Sequence, residues 1–341
     1  MNIAANYQPQ WIREDFVDFI LEKVNPMWTW KKVKAQVTSV TAITPELYQI
    51  CLQPNSNFAA HNFKTGQSVL VTVVVAGVRY QRSYSVMQID AQGNLYLGVK
   101  VQGVVSRAMS QLHAGDVIEI SQTQGEFCLH QDQSAALLIA SGSGITAIYS
   151  LLQQAIKQQL PQIDVIYFSR DAAFHQELQS LADHHPSIHY HHIDTTQQKQ
   201  HLTVDLLNKL IGDLEQKHTY LCGASNMMQA AKTIFAELNL SDRLHMEYFQ
   251  PVVDETLEAQ PVTFLRSQQV FEANTNLLES AEQAGLRPAH GCRMGICNTC
   301  TCTKISGSTK NILTGEIDHG NNTQIKPVSY THLTLPTKRI V

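Results

Sequence analysis

The stretch HGCRMGICNTCTC, residues 290–302, holds four of the seven cysteines of this 341-residue chain. Its first three cysteines, Cys292, Cys297 and Cys300, are spaced as C-x₄-C-x₂-C. That spacing is typical of plant-type [2Fe–2S] sites. The sequence therefore predicts an iron–sulfur loop, and the rest of the chain must supply a setting for it.

Two glycines and an arginine suit such a loop. Gly291 and Gly295 let the chain wrap closely around a compact inorganic core, and Arg293 can offset negative charge there. Two other interpretations stay open. The cysteines can form a structural zinc site with Cys302 as fourth ligand, although a C-x-C pair is awkward for tetrahedral geometry, or they can simply pack in the interior.

The composition is that of a folded protein, with 43% hydrophobic and 16% charged residues. The net charge of −4 predicts no nucleic-acid partner. The longest apolar run, residues 68–78, is too short for a bilayer and favours a strand, so we expect no transmembrane segment. No secretory signal or disulfide framework is visible, which favours the reducing cytoplasm.

The chain divides into regions of different pattern. Residues 31–132 contain six short alternating or β-branched runs, which indicate a small antiparallel barrel. Residues 133–250 alternate apolar strands with helical patterns, which predicts a parallel sheet covered on both faces. Residues 251–260 are a plausible linker, 261–326 form a third domain, and 327–341 form an atypical tail.

The third domain begins with two strand patterns, residues 262–267 and 269–274, that predict a hairpin. A short helix is expected next, with Asn274 or Thr275 as its N-cap and Gly285 near its C-terminal end. The cysteine loop follows this helix directly.

Residues 1–30 are predicted to form an N-terminal helical arm. Apolar side chains recur at roughly helical spacing between Phe16 and Val24, and Pro26 ends the run. We expect the arm to pack on the next domain. An interfacial helix near a membrane partner is the alternative.

The tetrapeptide RSYS, residues 82–85, ends a predicted barrel strand. Arg82 and Tyr84 share one face of the strand, and Ser85 lies where the chain turns. Such a face can bind a phosphate, stack on a flat ring and hydrogen-bond to its edge. Ordinary strand alternation gives the same pattern.

Two further stretches offer phosphate sites. In KVQGVVSRAM, Gly103 and Ser106 stand at the start of a helical run, where free N–H groups can hold a pyrophosphate. In SGSGIT, Gly142 and Gly144 let the backbone approach a pyrophosphate between a strand and a helix, although Ala147 breaks the full G-x-G-x-x-G pattern. A plain capped helix and a tight turn are the respective alternatives.

The ends of two later strands also carry candidate residues. Ser169 and Arg170 lie at the end of an apolar strand, where they could receive the 2′-phosphate of NADPH, whereas an acidic residue there would suggest NADH. Cys222 and Gly223 end a third strand and are expected at the carboxyl edge of the sheet, where ligands bind.

With these motifs in this order, the chain resembles ferredoxin–NADP⁺ reductase-type flavoprotein reductases that carry a C-terminal plant-type ferredoxin domain. The resemblance runs from about Lys31 to Lys326. It implies a multidomain fold: an antiparallel β-barrel flavin domain, an α/β parallel-sheet nucleotide domain and an α+β ferredoxin-like β-grasp domain.

The resemblance also implies roles for single residues. Arg82 would contact the flavin phosphates, Tyr84 would pack on the isoalloxazine, and Ser85 would lie near its reactive nitrogen. The catalytic set would be Ser85, Cys222 and Glu247, and the metal ligands Cys292, Cys297 and Cys300. The cofactor-binding set would be Arg82, Ser83, Tyr84, Ser85, Lys100, Gly103, Val104, Val105, Ser106, Gly142, Ser143, Gly144, Ile145, Thr146, Ser169, Arg170, Cys222, Gly223 and Phe249.

These parts make a chemical relay. NADPH, or NADH in its place, gives two electrons as hydride, an iron–sulfur centre accepts one at a time, and FAD between them can do both. The resemblance implies a protein acceptor, with a membrane-bound fatty-acyl desaturase as the first expectation and a Rieske-type or other oxygenase as the alternative. A non-catalytic redox sensor that binds nucleotide is a further alternative. The expected location is the cytoplasm, peripheral to the membrane through the partner.

The tail departs from the family pattern. The fourth cluster cysteine of the family is expected near Tyr330, and this sequence has no cysteine beyond Cys302. The resemblance ends abruptly at about Pro327. We hypothesise that unrelated coding sequence has replaced the native ending, which would leave the cluster with three clear thiolate ligands.

Overall fold

The computed structural model describes residues 14–171, 173–196, 200–249, 259–293, 295, 298–313, 315–332 and 339–340. The linker residues 251–258 and the predicted ligand Cys297 lie outside these ranges. The described chain forms a closed barrel, a parallel sheet with helices, and a third unit built from two small sheets. This confirms the predicted fold class.

The first unit is a closed antiparallel barrel with strand order β1-β2-β5-β4-β3-β6. Alternate side chains of these strands point inward and form one apolar cluster that includes Ile50, Val69 and Leu97. A short helix, α2, follows β5, and a helix of the N-terminal arm, α1, precedes β1. Their bounds are α1 (Glu14–Val24), β1 (Val33–Ala42), β2 (Leu47–Pro54), β3 (Ser68–Val75), β4 (Val78–Ile89), β5 (Leu95–Lys100), α2 (Val104–Ser110) and β6 (Val117–Ile120).

The second unit is a parallel sheet with order β11-β10-β7-β8-β9. Its central strand is apolar on both faces: Leu138 packs into one core cluster and Leu137 and Ile139 into another. A strand buried on both faces reads as a continuous apolar run, which is why the sequence predicted it. The bounds are β7 (Ala135–Ser141), α3 (Ile145–Lys157), β8 (Ile163–Ser169), α4 (His175–His184), β9 (Ile188–Asp194), α5 (Val204–Leu210), β10 (Lys217–Cys222), α6 (Ser225–Glu237) and β11 (Leu244–Glu247).

The third unit has one sheet with order β13-β12-β19-β14-β17 and a smaller one with order β16-β15-β18. Helix α7 packs on the core formed around Val262 and Phe271. The bounds are β12 (Gln260–Phe264), β13 (Gln269–Ala273), α7 (Leu277–Gln283), β14 (Cys302–Ser306), β15 (Thr309–Asn311), β16 (Ile317–Asp318), β17 (Thr323–Ile325), β18 (Tyr330–His332) and β19 (Arg339–Ile340).

The predicted N-cap of α7 was wrong by one or two residues. The cap is Asn276, whose Oδ1 accepts the backbone N–H of Glu279 at 2.9 Å. Thr275 instead exchanges a hydrogen bond with the Ser280 hydroxyl at 3.0 Å. Both residues help to start the helix, but only Asn276 has the capping geometry.

The barrel and the parallel sheet are in close contact. A Cβ added to Gly98 in β5 would lie 2.2 Å from Cγ2 of Thr146 at the start of α3, so only a glycine fits there. On the other side of the sheet, Lys232 in α6 donates a hydrogen bond to the carbonyl oxygen of Leu313 in the third unit. The parallel-sheet unit therefore contacts both of its neighbours.

Candidate functional site

A cavity of about 450 Å³ brings the barrel motifs and the cysteine loop together. Its walls include residues 82–85 from β4, residues 103–106 from the start of α2, and Ser143 and Thr146 from the second unit. Cys292 and Arg293 of the cysteine loop line the same cavity. The two motifs predicted to hold the flavin therefore share a space with one predicted cluster ligand. Lys100 and Phe249 line the cavity as well.

Arg82 and Tyr84 are partly buried side chains of this cavity. Burial lowers the pKa of the Arg82 guanidinium, and the nearby positive charge of Arg293 lowers it further. Arg82 is thus a cation on the wall of this cavity and can pair with an anionic group such as a phosphate. Burial also raises the pKa of the Tyr84 phenol well above its usual value, so the ring presents a neutral face.

The start of α2 is organised by the side chain of Ser106. Its hydroxyl accepts the N–H groups of Gln102 at 3.0 Å and Gly103 at 2.9 Å, and it is almost fully buried. The hydroxyl therefore caps the turn, while Gly103, Val104 and Val105 line the cavity with it. This geometry combines the two interpretations of the sequence, a capped helix and a phosphate-facing turn.

Ser85, Cys222 and Glu247 converge from three strands. The Ser85 hydroxyl lies 3.5 Å from Oε2 of Glu247, and all three side chains are buried. Burial raises the pKa of Glu247 to about 8, with Ser85 opposing the shift. Burial, together with the Glu247 charge, raises the pKa of the Cys222 thiol well above its usual value. At neutral pH this corner therefore holds a neutral thiol and a largely protonated carboxyl group.

A second cavity, of about 670 Å³, lies at the carboxyl ends of β7, β8 and β10. It is lined by Ser141–Gly144, by Ser169 and Arg170, and by Gly223. Lys100, Gln102, Ser143 and Phe249 line both cavities, so the two spaces adjoin. This is the topological position at which parallel sheets bind nucleotides.

The glycines of this second cavity are needed for packing as well as for ligand access. A Cβ on Gly144 would lie 2.0 Å from the carbonyl oxygen of Cys222, and one on Gly223 would lie 2.6 Å from Cβ of Ser141. Gly142 has a left-handed φ of 54°. The following Ile145 is buried in the core, and the Thr146 hydroxyl donates to the Ser143 carbonyl at 3.0 Å.

The predicted 2′-phosphate residues occupy different environments. Arg170 is exposed, whereas Ser169 is buried and its hydroxyl lies 2.9 Å from Nε2 of His192. Burial and the neighbouring His175 lower the pKa of His192. The sequence interpretation of His192 and the histidines before it is a polar edge strand, which did not assign His192 to the site. The contact between His192 and Ser169 can be inferred only when β9 is known to lie beside β8 in the parallel sheet. The sequence alone does not give this strand order.

The cysteine loop brings two of its three predicted ligands into the interior. Cys292 and Cys300 are both buried. Gly295 has a left-handed φ of 77°, and a Cβ there would lie 2.1 Å from the Ser329 hydroxyl, so the loop needs a glycine at this point. Arg293 holds the loop on α7 through a bidentate ion pair with Glu282, with one N···O distance of 2.7 Å.

The loop ends at a further cysteine, Cys302. This thiol lies in β14 and packs against the core of the third unit, and burial raises its pKa to about 12. Val328 belongs to a separate buried cluster together with Leu278 and Cys300. The buried cysteines and the tight loop fit a sulfur-ligated centre, and Cys292 and Cys300 are the described residues that would hold it.

Three family models match consecutive parts of the chain. An oxidoreductase FAD-binding domain matches residues 34–128, an oxidoreductase NAD-binding domain matches 138–233, and a 2Fe–2S iron–sulfur cluster binding domain matches 262–322. The chain is a reductase of the ferredoxin–NADP⁺ reductase type with a C-terminal [2Fe–2S] ferredoxin domain. Its activity is that of an NAD(P)H-dependent oxidoreductase that uses FAD and a [2Fe–2S] cluster for electron transfer.

Individual relatives agree with this class over most of their length. An NADPH oxidoreductase of Mycobacterium tuberculosis is 27% identical over 333 residues, 92% of this chain and 85% of the relative. The carnitine monooxygenase reductase subunit of Escherichia coli is 27% identical over 86% of this chain and 90% of the relative. The crystal structure of a phthalate dioxygenase reductase shares the fold, with a TM-score of 0.61 and 23% identity over 90% of this chain and 96% of that one.

Proposed function

We propose that this chain prefers NADPH and is the reductase component that supplies electrons to a separate oxidative enzyme, in the first place an oxygenase. When bound, the nucleotide supplies a hydride, FAD divides the electron pair, and the cluster carries single electrons. The observation that carries the proposal is the shared cavity, in which Ser85 and Cys292 line one space that adjoins the nucleotide cavity.

The described residues have distinct tasks in this proposal. Arg82 binds flavin phosphate, Tyr84 covers one face of the ring, and Ser85 orients its edge. The protonated Glu247 and the Cys222 thiol keep the ring edge free of negative charge, which suits transfer of a hydride toward it. No residue needs to act as a strong acid or base.

Arg170 supports the preference for NADPH. It is the exposed cation at the end of β8, on the wall of the nucleotide cavity. A guanidinium there can pair with the 2′-phosphate that distinguishes NADPH from NADH. Asp171 lies on the same wall, but its carboxylate accepts a hydrogen bond from the Thr44 hydroxyl at 3.3 Å.

The name of the carnitine monooxygenase reductase subunit favours an oxygenase as the acceptor. A fatty-acyl desaturase is the second candidate. One feature favours it: the N-terminal arm exposes several large apolar side chains, as expected for a protein that binds a membrane-bound partner. With either acceptor, we propose that the protein is peripheral to the membrane through its partner. No described helix is both long enough and apolar enough to cross a bilayer.

The test is reduction of cytochrome c by the purified protein with NADPH and, separately, with NADH. We expect turnover with both nucleotides and a higher kcat/KM with NADPH. Iron and flavin content measured on the same sample serve as the control for cofactor loading. Flavin that stays oxidised under excess NADPH without oxygen would reject the proposal, and binding of nucleotide without turnover would support a redox sensor instead.

A further inference from the structure

The helix of the N-terminal arm presents its apolar face outward. Phe16, Phe19, Ile20 and Val24 lie on one side of α1, and the exposed fraction of their side chains reaches 63% for Phe16 and 70% for Val24. Trp28 and Trp30, which follow the helix in the sequence, are also exposed. An amphipathic helix of a globular protein normally turns such a face to the core.

The polar face of α1 is the one turned inward. Asp18 is only 2% exposed, and its Oδ1 accepts the backbone N–H of Trp30 at 2.6 Å. Its other oxygen lies 3.6 Å from Nζ of Lys32, and Glu22 lies 3.2 Å from Nζ of Lys34 in β1. The acidic side chains of the arm therefore hold it on the barrel. These hydrogen bonds and ion pairs determine which side of the helix faces outward.

The exposed face is also a concentrated patch. Of the twelve exposed large hydrophobic side chains among the described residues, six belong to this arm, Phe16, Phe19, Ile20, Val24, Trp28 and Trp30. Single exposed apolar residues are common, but six of them between residues 16 and 30 mark an interaction surface. We call these six residues the arm face.

The charges around the arm face select its partner. Asp18 and Glu22 are turned toward the barrel, whereas Lys23 and Lys31 are exposed. The Lys23 amine lies 5.5 Å from the Phe19 ring and the Lys31 amine 5.7 Å from the Trp30 ring. Lys23 therefore places a positive charge at the edge of the arm face.

We propose that the arm face docks on a membrane surface that contains anionic phospholipids. Tryptophan rings and lysine amines suit the boundary between lipid headgroups and acyl chains, and an apolar helical face of this kind lies in the plane of that boundary. With 11 residues α1 is too short to span the bilayer, so it rests on the surface. The inference goes beyond the proposed function, because it assigns membrane contact to this chain itself.

The test is co-sedimentation of the purified full chain with phosphatidylcholine vesicles and with phosphatidylcholine–phosphatidylglycerol vesicles. We expect binding to the anionic vesicles that is at least about tenfold stronger than to the neutral ones, and weaker binding at high salt. The tryptophan fluorescence should shift to the blue on binding. The double variant Phe16→Ser/Phe19→Ser should lose about tenfold or more of the binding, since each apolar side chain adds to the affinity.

Val270→Ser is the matched control, because this side chain is also highly exposed but lies in the third unit. It should bind vesicles as the unchanged protein does. Both variants should keep NADPH-dependent ferricyanide reduction, which separates this proposal from the proposed function. The proposal is overturned if the full chain binds neither kind of vesicle, or if the double variant binds vesicles as well as the unchanged protein does. It is also overturned if light scattering shows that the arm face joins two copies of the chain.

Discussion

At the scale of single residues, Glu247 connects the chemistry of the site to the stability of the protein. Its pKa is raised to about 8 by burial, so the native protein holds this proton at pH values where the unfolded chain has lost it. Between about pH 4.5 and 8 the free energy of unfolding therefore falls as pH rises, by at most about 1.4 kcal/mol per pH unit from this group.

The variant Glu247→Gln should flatten this part of the stability profile, because the amide cannot ionise. The measurement is the urea unfolding midpoint at several pH values between 5.5 and 8, for the variant and the unchanged protein. Glu237→Gln, at an exposed position in α6, is the control and should leave the slope as it is. Parallel profiles for Glu247→Gln and the unchanged protein would contradict the account.

Arg170 is predicted to set the choice of nucleotide. Replacing it with glutamine should lower kcat/KM for NADPH by about tenfold or more, which corresponds to about 1.4 kcal/mol, and should change the value for NADH little. Arg266→Gln, an exposed arginine of the third unit, is the control. An equal loss with both nucleotides would show that Arg170 supports the fold or binds a part that they share.

Val328 is our candidate position for a fourth cysteine, which the family pattern places near Tyr330. Because Val328 belongs to the same buried cluster as Cys300, the variant Val328→Cys would put a thiol in the neighbourhood of a predicted ligand. We expect more iron per chain after anaerobic reconstitution and a stronger visible absorption of the cluster. Cys302→Ser should change neither quantity, since that thiol faces the core of the third unit. If Cys302→Ser loses the iron and Val328→Cys gains none, the assignment of donors is wrong.

At the scale of elements, Asp18 decides how the arm is held. Asp18→Ala removes the acceptor of the Trp30 N–H and the partner of Lys32, so α1 should open locally while the barrel stays folded. Hydrogen exchange should become faster within residues 14–30 and stay unchanged in β3. Lys23→Ala, on the exposed side of the same helix, should leave exchange unaltered. Uniform acceleration across the barrel would contradict this local role.

The elements that the sequence predicts well are those with a strong pattern of their own. The alternation in residues 47–54 predicts β2, and the apolar run in 135–141 predicts β7. The periodicity in residues 16–24 also predicts α1, yet it cannot tell which way the helix faces. That orientation depends on the contacts of Asp18 with Trp30 and Lys32. These contacts join residues that are distant in the sequence, so the helical periodicity does not reveal them.

Other features depend entirely on pairing across the chain. Strands as short as β16 and β18 have two or three residues and no periodicity to detect; they exist because both pair with β15. The same holds for His192, which meets Ser169 only through the alignment of β8 and β9. The sequence predicts motif residues for the candidate site, but it does not predict the neighbours that the fold brings to them.

At the scale of the whole molecule, three units meet around a continuous path. The nucleotide cavity adjoins the barrel cavity through shared residues such as Ser143 and Phe249, and the barrel cavity reaches Cys292 of the ferredoxin domain. Electrons would thus cross from one unit to the next inside a single chain. The close fit of Gly98 against Thr146 and the contact of Lys232 with Leu313 hold the units in this arrangement.

The most direct measurement is rapid mixing of the anaerobic protein with NADPH, followed by visible absorption and freeze-quench electron paramagnetic resonance. The account predicts that the absorption of oxidised flavin is lost first and that the signal of the reduced cluster then rises at a rate independent of protein concentration. A cluster signal whose rate increases with protein concentration would show transfer between molecules. That result, or flavin that stays oxidised, would contradict a relay within one chain.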